Sequence, residues 1–203
     1  MISNYELIKS KLARSNSYSE YFDQFKKKAE SNDFSILSET DKEHFTYIKL
    51  NLQRSSRIHK TYKPSDEIKN FIYKIIDNQL WILITEEWCG DSAQIVPYIY
   101  EISKLNSLID LKIFKRDSNL DLMELYLTNG TRSIPKLIVF DKTGNELFTW
   151  GPRPKEAQEL INKLKLEGKT KDEFIEQLHL WYAKDRGKSL EKEMIDCLSN
   201  VIY

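Results

Sequence analysis

A chain of 203 residues, 40% of them hydrophobic, can build a core and suits one enlarged domain or an ordinary domain with helical additions. Lysine plus arginine number 31 and aspartate plus glutamate 31, so no charge excess points to a nucleic-acid or membrane-surface partner. Two cysteines cannot make a disulfide scaffold, no Cys and His cluster has metal-ligand spacing, and no apolar run approaches a membrane span.

The opening MISNYELIKSKLARS lacks the apolar centre of a signal peptide, which gives a cytoplasmic expectation. All six glycines lie at or after Gly90 and the first proline is Pro64, so the opening third reads as helical. Ser17 with Glu20 forms a capping-box pattern ahead of Tyr21, Phe22 and Phe25, and Thr40 with Glu43 forms another ahead of Phe45, Ile48 and Leu52. Ser31-Asn32-Asp33 reads as a break between them. Residues 1–64 are thus expected to be a helical extension packed on the core, with a lid or partner-docking arm as the other reading.

Pro64-Ser65 opens a helix whose Ile68, Phe71, Ile72, Ile75 and Ile76 line one broad face. Leu80-Trp81-Ile82-Leu83-Ile84 then reads as a strand buried on both faces. Ile95, Ile99, Ile102 and Leu105 recur at helical spacing, with Pro97 as a kink. Leu111-Lys112-Ile113-Phe114 is expected to be a parallel strand, because a helix separates it from the first. Ser118 with Asp121 caps a helix containing Leu122, Leu125 and Tyr126, ending at Asn129-Gly130. Lys136 to Phe140 and Glu146 to Trp150 flank the five-residue loop Asp141 to Asn145 as a hairpin, and Lys155 to Leu166 close the core.

Beyond Gly168, residues 167–203 read as a C-terminal helical extension packed on the core. Thr170 with Glu173 caps a helix bearing Phe174, Leu178 and Trp181. Gly187 separates it from a last helix bearing Leu190, Met194, Leu198 and Val201, whose apolar face also carries Cys197 as a buried structural cysteine. His44, His59 and His179 are scattered and read as ordinary helix or loop residues.

Thr85 to Ser92 joins the first strand to the next helix, which places Cys89 at the positive end of a helix dipole, favourable to a thiolate by about 0.3–1 kcal/mol. Glu86, Glu87 and Asp91 oppose that effect, and the net sign stays open on sequence alone. The stretch Trp88-Cys89-Gly90-Asp91-Ser92 resembles the WCxxC redox motif of the thioredoxin superfamily, and is similar to bacterial thioredoxin-like proteins with a WCGD motif. Pro97, the segment Gly130 to Pro135 and Gly151 extend the resemblance over residues 65–166. It implies an α/β thioredoxin-like fold, a mixed sheet flanked by helices, with Cys89 as nucleophile and Ser92 in place of the second cysteine. Trp88, Gly90, Asp91, Ile134 and Pro135 would then form the substrate-binding surface, with Pro135 as the cis-proline and Ile134 pairing its backbone with an extended peptide.

By the same resemblance, the buried aspartate of thioredoxins is replaced by Leu83 and its lysine neighbour by Ile113, so that proton-transfer pair is missing. Arg153 would lie near the site if Gly151 matches the family's glycine, and otherwise reads as an exposed loop residue. Ser92 can donate a hydrogen bond to a thiolate but cannot release a mixed disulfide. The implied activity is monothiol exchange on a protein or small-molecule disulfide, with no metal or resident cofactor and with glutathione or another external thiol as co-substrate. A binding module with little redox chemistry is the alternative. CGDS is also close to the CGFS of cluster-carrying monothiol glutaredoxins, but their paired glycines are absent from Lys136 to Glu146.

Overall fold

The computed structural model describes residues 3–30 and 39–202, with the backbone alone for 39–44 and 202. The expected break at 31–33 and the Thr40 and Glu43 side chains lie outside the described residues. The N-terminal third is helical: α1 (Asn4–Lys11), a 3-10 turn (Leu12–Arg14), α2 (Tyr18–Glu30) and α3 (Glu39–Thr61). Ser17 caps α2, with the Glu20 carboxylate accepting from the Ser17 amide at 2.7 Å and the Glu20 amide donating to Ser17 Oγ at 3.3 Å. Tyr21 and Phe25 are buried.

After α4 (Asp66–Ile72), the chain alternates β1 (Gln79–Thr85), α5 (Gly90–Ser103), β2 (Ile109–Lys115) and α6 (Leu120–Glu124). It continues through β3 (Lys136–Phe140), β4 (Glu146–Trp150) and α7 (Lys155–Leu166), and ends with α8 (Lys171–Asp185) and α9 (Lys188–Ile202). The sheet order is β2-β1-β3-β4, with β1 parallel to β2, and with β3 antiparallel to both β1 and β4. Because side chains alternate across a strand, the apolar run in β1 supplies two cores. Trp81 and Leu83 join Ile113, Leu137 and Val139 on the face covered by α2, α3, α5, α7, α8 and α9. Ile82 and Ile84 join Phe114, Ile138 and Phe140 on the face covered by Ile8 of α1 and by Leu122 and Met123 of α6.

Three expectations need correction. The α4 helix stops at Ile72, so the helical phase that placed Ile76 with Ile68 and Ile72 no longer applies, and Ile76 is 84% exposed. Ser118 and Asp121 do not box α6, whose N-cap is Asn119; Asp121 instead pairs with Lys11 of α1 at 2.8 Å. That helix ends at Glu124 rather than at Asn129-Gly130, so it contains neither Leu125, which is exposed, nor Tyr126, which is buried. Among the described residues, no helix is long and apolar enough to cross a membrane.

Candidate active site

Parallel pairing with β2 and antiparallel pairing with β3 fix the end of β1, and the chain turns there through Glu86 to Cys89 into α5. Cys89 is the helix N-cap, with extended backbone and its carbonyl accepting from Ala93 N–H at 3.1 Å. The N-terminal arm holds this turn: Asn51 Nδ2 donates to the Glu87 carbonyl at 3.0 Å, and Ser55 Oγ donates to the Ala93 carbonyl at 3.1 Å. Thus α3 is sewn to both sides of the cysteine.

The Cys89 thiol donates to the Ile134 carbonyl at 3.3 Å, and the following Ile134-Pro135 bond is cis. Gly151, at φ 118°, lies against the same segment; a Cβ there would overlap the Pro135 carbonyl oxygen. Only a residue without a side chain allows this approach. Ser92 is 1% exposed, and its hydroxyl has no hydrogen-bond partner among the described residues.

Burial, with the Asp91 carboxylate as the second cause, pushes the Cys89 thiol from 9.0 up to about 11. The Ser92 hydroxyl and the Ser92 and Asp91 amides pull in the other direction without overcoming it. The sign left open by the sequence is therefore toward the thiol. Asp91 itself points inward: Arg153 Nε donates to its Oδ2 at 3.1 Å, a second guanidinium nitrogen reaches the same oxygen, and Tyr182 Oη donates to Oδ1 at 2.7 Å. Arg153 is consequently not an exposed loop residue but the link between the chain after β4 and the start of α5.

His179 is a helix residue of α8 that packs over the start of α5. A Cβ on Gly90 would lie 3.2 Å from its ring, and Gln94 Nε2 lies 3.3 Å from its Nδ1, so α8 roofs the first turn of α5. Burial, Arg54 and Arg57 depress His179 to about 4, leaving the ring neutral at neutral pH. A cavity of about 390 Å³ opens beside the sulfur, lined among others by Trp88, Cys89, Gly90, Asp91, Arg153 and His179. The structure brings five of the seven residues read as a site to one locus with Cys89 at its floor: Trp88, Cys89, Gly90 and Asp91 in the lining and Ile134 on the sulfur. Ser92 lies beneath in the first turn of α5, and Pro135 directly follows Ile134.

Leu83 and Ile113 are fully buried apolar residues. A different acid–base pair occurs nearby: the buried Glu87 carboxylate lies 2.7 Å from Lys115 Nζ and 3.6 Å from Lys28 Nζ. Burial opposes ionisation of Glu87, yet the Lys115 hydrogen bond and both lysine charges hold it below the usual carboxylate range. Glu86 goes the other way: burial, reinforced by Asp117 and Glu87, raises it from 4.5 to about 7, against the hydrogen bond from Asp117 N–H at 2.9 Å. Trp88 packs against both cores, with the Arg116 guanidinium 4.6 Å from its ring centre. Among the described residues, no group of three or more His, Cys, Asp or Glu is placed to hold a metal ion.

A cysteine capping the helix after the first strand, in contact with the residue before a cis-proline, defines the thioredoxin-like class of α/β proteins. A family model described as Thioredoxin matches residues 38–165, and the chain belongs to that family. Among solved structures, a protein of unknown function from Pseudomonas aeruginosa is 20% identical, with 92% of this chain and 97% of that chain covered and a TM-score of 0.53. An HIV epitope-scaffold is 15% identical, with 92% and 96% covered and a TM-score of 0.51. These two likenesses show the fold alone. A domain of the alkylhydroperoxide reductase AhpF from Enterococcus faecalis is 14% identical over 49% of this chain and 60% of that one, with a TM-score of 0.37. No curated protein matches the chain.

Proposed function

We propose that this protein is a monothiol disulfide-exchange enzyme with Cys89 as nucleophile. The observation that carries this reading is the Cys89 sulfur at the start of α5, 3.3 Å from the Ile134 carbonyl and open to a cavity. The unpartnered Ser92 hydroxyl adds support, because a thiolate would give it an acceptor.

In the first step the Cys89 thiol loses its proton to solvent and attacks one sulfur of a disulfide. The Cys89–substrate S–S bond forms as the substrate's own breaks, and the departing thiolate takes the bonding pair and then a proton. Ser92 has no thiol for the second attack, so an external thiol such as glutathione attacks the adduct and restores Cys89. A reducing compartment such as the cytoplasm would supply that thiol.

One observation favours a second reading, a binding module with little redox turnover: the thiol raised to about 11. At neutral pH such a thiol exchanges about a hundredfold more slowly than one with pKa near 7, after allowing for the greater nucleophilicity of its thiolate. The two readings separate on intact mass after exposure to oxidised glutathione, followed by peptide mapping. The enzyme reading expects one glutathione on Cys89, removed by added thiol and absent in Cys89→Ser. No adduct on Cys89 would leave the binding module as the better description.

A further inference from the structure

We propose that the cavity beside Cys89 selects small anionic disulfides, whose acidic groups are held by Arg54 of α3 and Lys171 of α8. The selection concerns substrate class and rests on the exchange reading given above. Its basis is a charge imbalance that the two helical additions create around the sulfur.

Arg54 Nη1 has the neutral Asn51 side-chain oxygen as its partner, at 2.9 Å. Neither Arg54 nor Lys171 has a carboxylate within ion-pair distance among the described residues, although both border the cavity. Asp91, which also lines it, is already engaged by Arg153 and Tyr182, and His179 adds no charge at neutral pH. Arg54 is only partly exposed, and a guanidinium withdrawn from water without an anion is costly unless a ligand supplies one. The other walls, Trp88, Phe174, Ile175 and Leu178, are apolar. With about 390 Å³ available, the space matches a small ligand with an apolar body and acidic ends.

The Gly90 contacts locate this charge relative to the chemistry. A Cβ there would meet the His179 ring at 3.2 Å and Arg54 Nη1 at 4.0 Å, so the guanidinium borders the residue next to the nucleophile. An anionic group bound by Arg54 would thus hold the disulfide of a small molecule near Cys89.

The test compares the labelling rate of Cys89 by the dianionic disulfide of thionitrobenzoate with that by the uncharged dithiodipyridine. A Cys89→Ser chain corrects for Cys197. The expected result is a rate ratio favouring the dianion that falls about tenfold in Arg54→Gln, falls further with Lys171→Gln, is largely kept in Arg54→Lys and narrows at high salt. A ratio unchanged in both glutamine variants would overturn the proposal. If neither reagent labels Cys89, the exchange reading fails, and calorimetric titration with non-reacting S-methylglutathione decides this one separately. Binding lost in the Arg54→Gln, Lys171→Gln double variant supports the cavity; no binding to the wild type overturns it.

Discussion

At Cys89 the shift from 9.0 to about 11 makes a prediction that needs no substrate. The rate of alkylation should climb about tenfold per pH unit from pH 7 and level off only near pH 11; a plateau by pH 8 would show that burial does not govern this thiol. Asp91→Asn removes the second cause of the shift, so its plateau should move to lower pH. In stability, the unfolded chain releases this proton near 9 and the folded one near 11. The Cys89 contribution is therefore complete below pH 9 and is lost between about pH 9 and 11. Glu86 follows the same sign in a lower window: with its folded value raised from 4.5 to about 7, its contribution is complete below 4.5 and is lost as pH rises through 7. Glu86→Gln, which keeps an acceptor for Asp117 N–H, should stabilise the protein at pH 8 by on the order of 2 kcal/mol and change little at pH 4, as read by thermal unfolding.

Between elements, two short segments set the shape of the site. Gly151→Ala forces a methyl into the Pro135 carbonyl and an unfavourable φ, and should lower stability by several kcal/mol while slowing Cys89 labelling at fixed pH. Thr170→Ala removes the cap of α8, where Thr170 Oγ1 accepts from Glu173 N–H and the Glu173 carboxylate accepts from Thr170 N–H. Chemical denaturation should register a loss of about 1 kcal/mol. That capping box, the box at Ser17, the Asp141 to Asn145 loop and the bounds of α7 were all legible in the sequence, because each is written within a few consecutive residues. The unbroken apolar run likewise gave β1 its place at the sheet centre. The contacts of Arg153 and His179 were not legible. Arg153 meets Asp91 across 62 positions and His179 meets Gln94 across 85, distances over which no periodicity carries information. Ile76 and Leu125 failed for a local reason: α4 and α6 end before the pattern of apolar residues does.

At the level of the whole molecule, the C-terminal helices do not form an appendage. Leu178, Tyr182, Leu190, Met194 and Leu198 belong to the same core as Trp81 and Leu83. Ending the chain after Gly168 would uncover that face of the sheet, and the truncated protein should lose its cooperative thermal transition and bind a hydrophobic dye. A truncated chain that unfolds in one sharp step near the temperature of the full protein would show that the core stands without the C-terminal helices. Asp91, Arg153 and Tyr182 tie this C-terminal layer to the first turn of α5. Asp91 accepts from both of the others, so its loss deprives Arg153 and Tyr182 of a shared partner and exposes those positions to selection. Across diverging lineages, those that have shed the aspartate after Gly90 should carry different residues at the arginine and tyrosine positions.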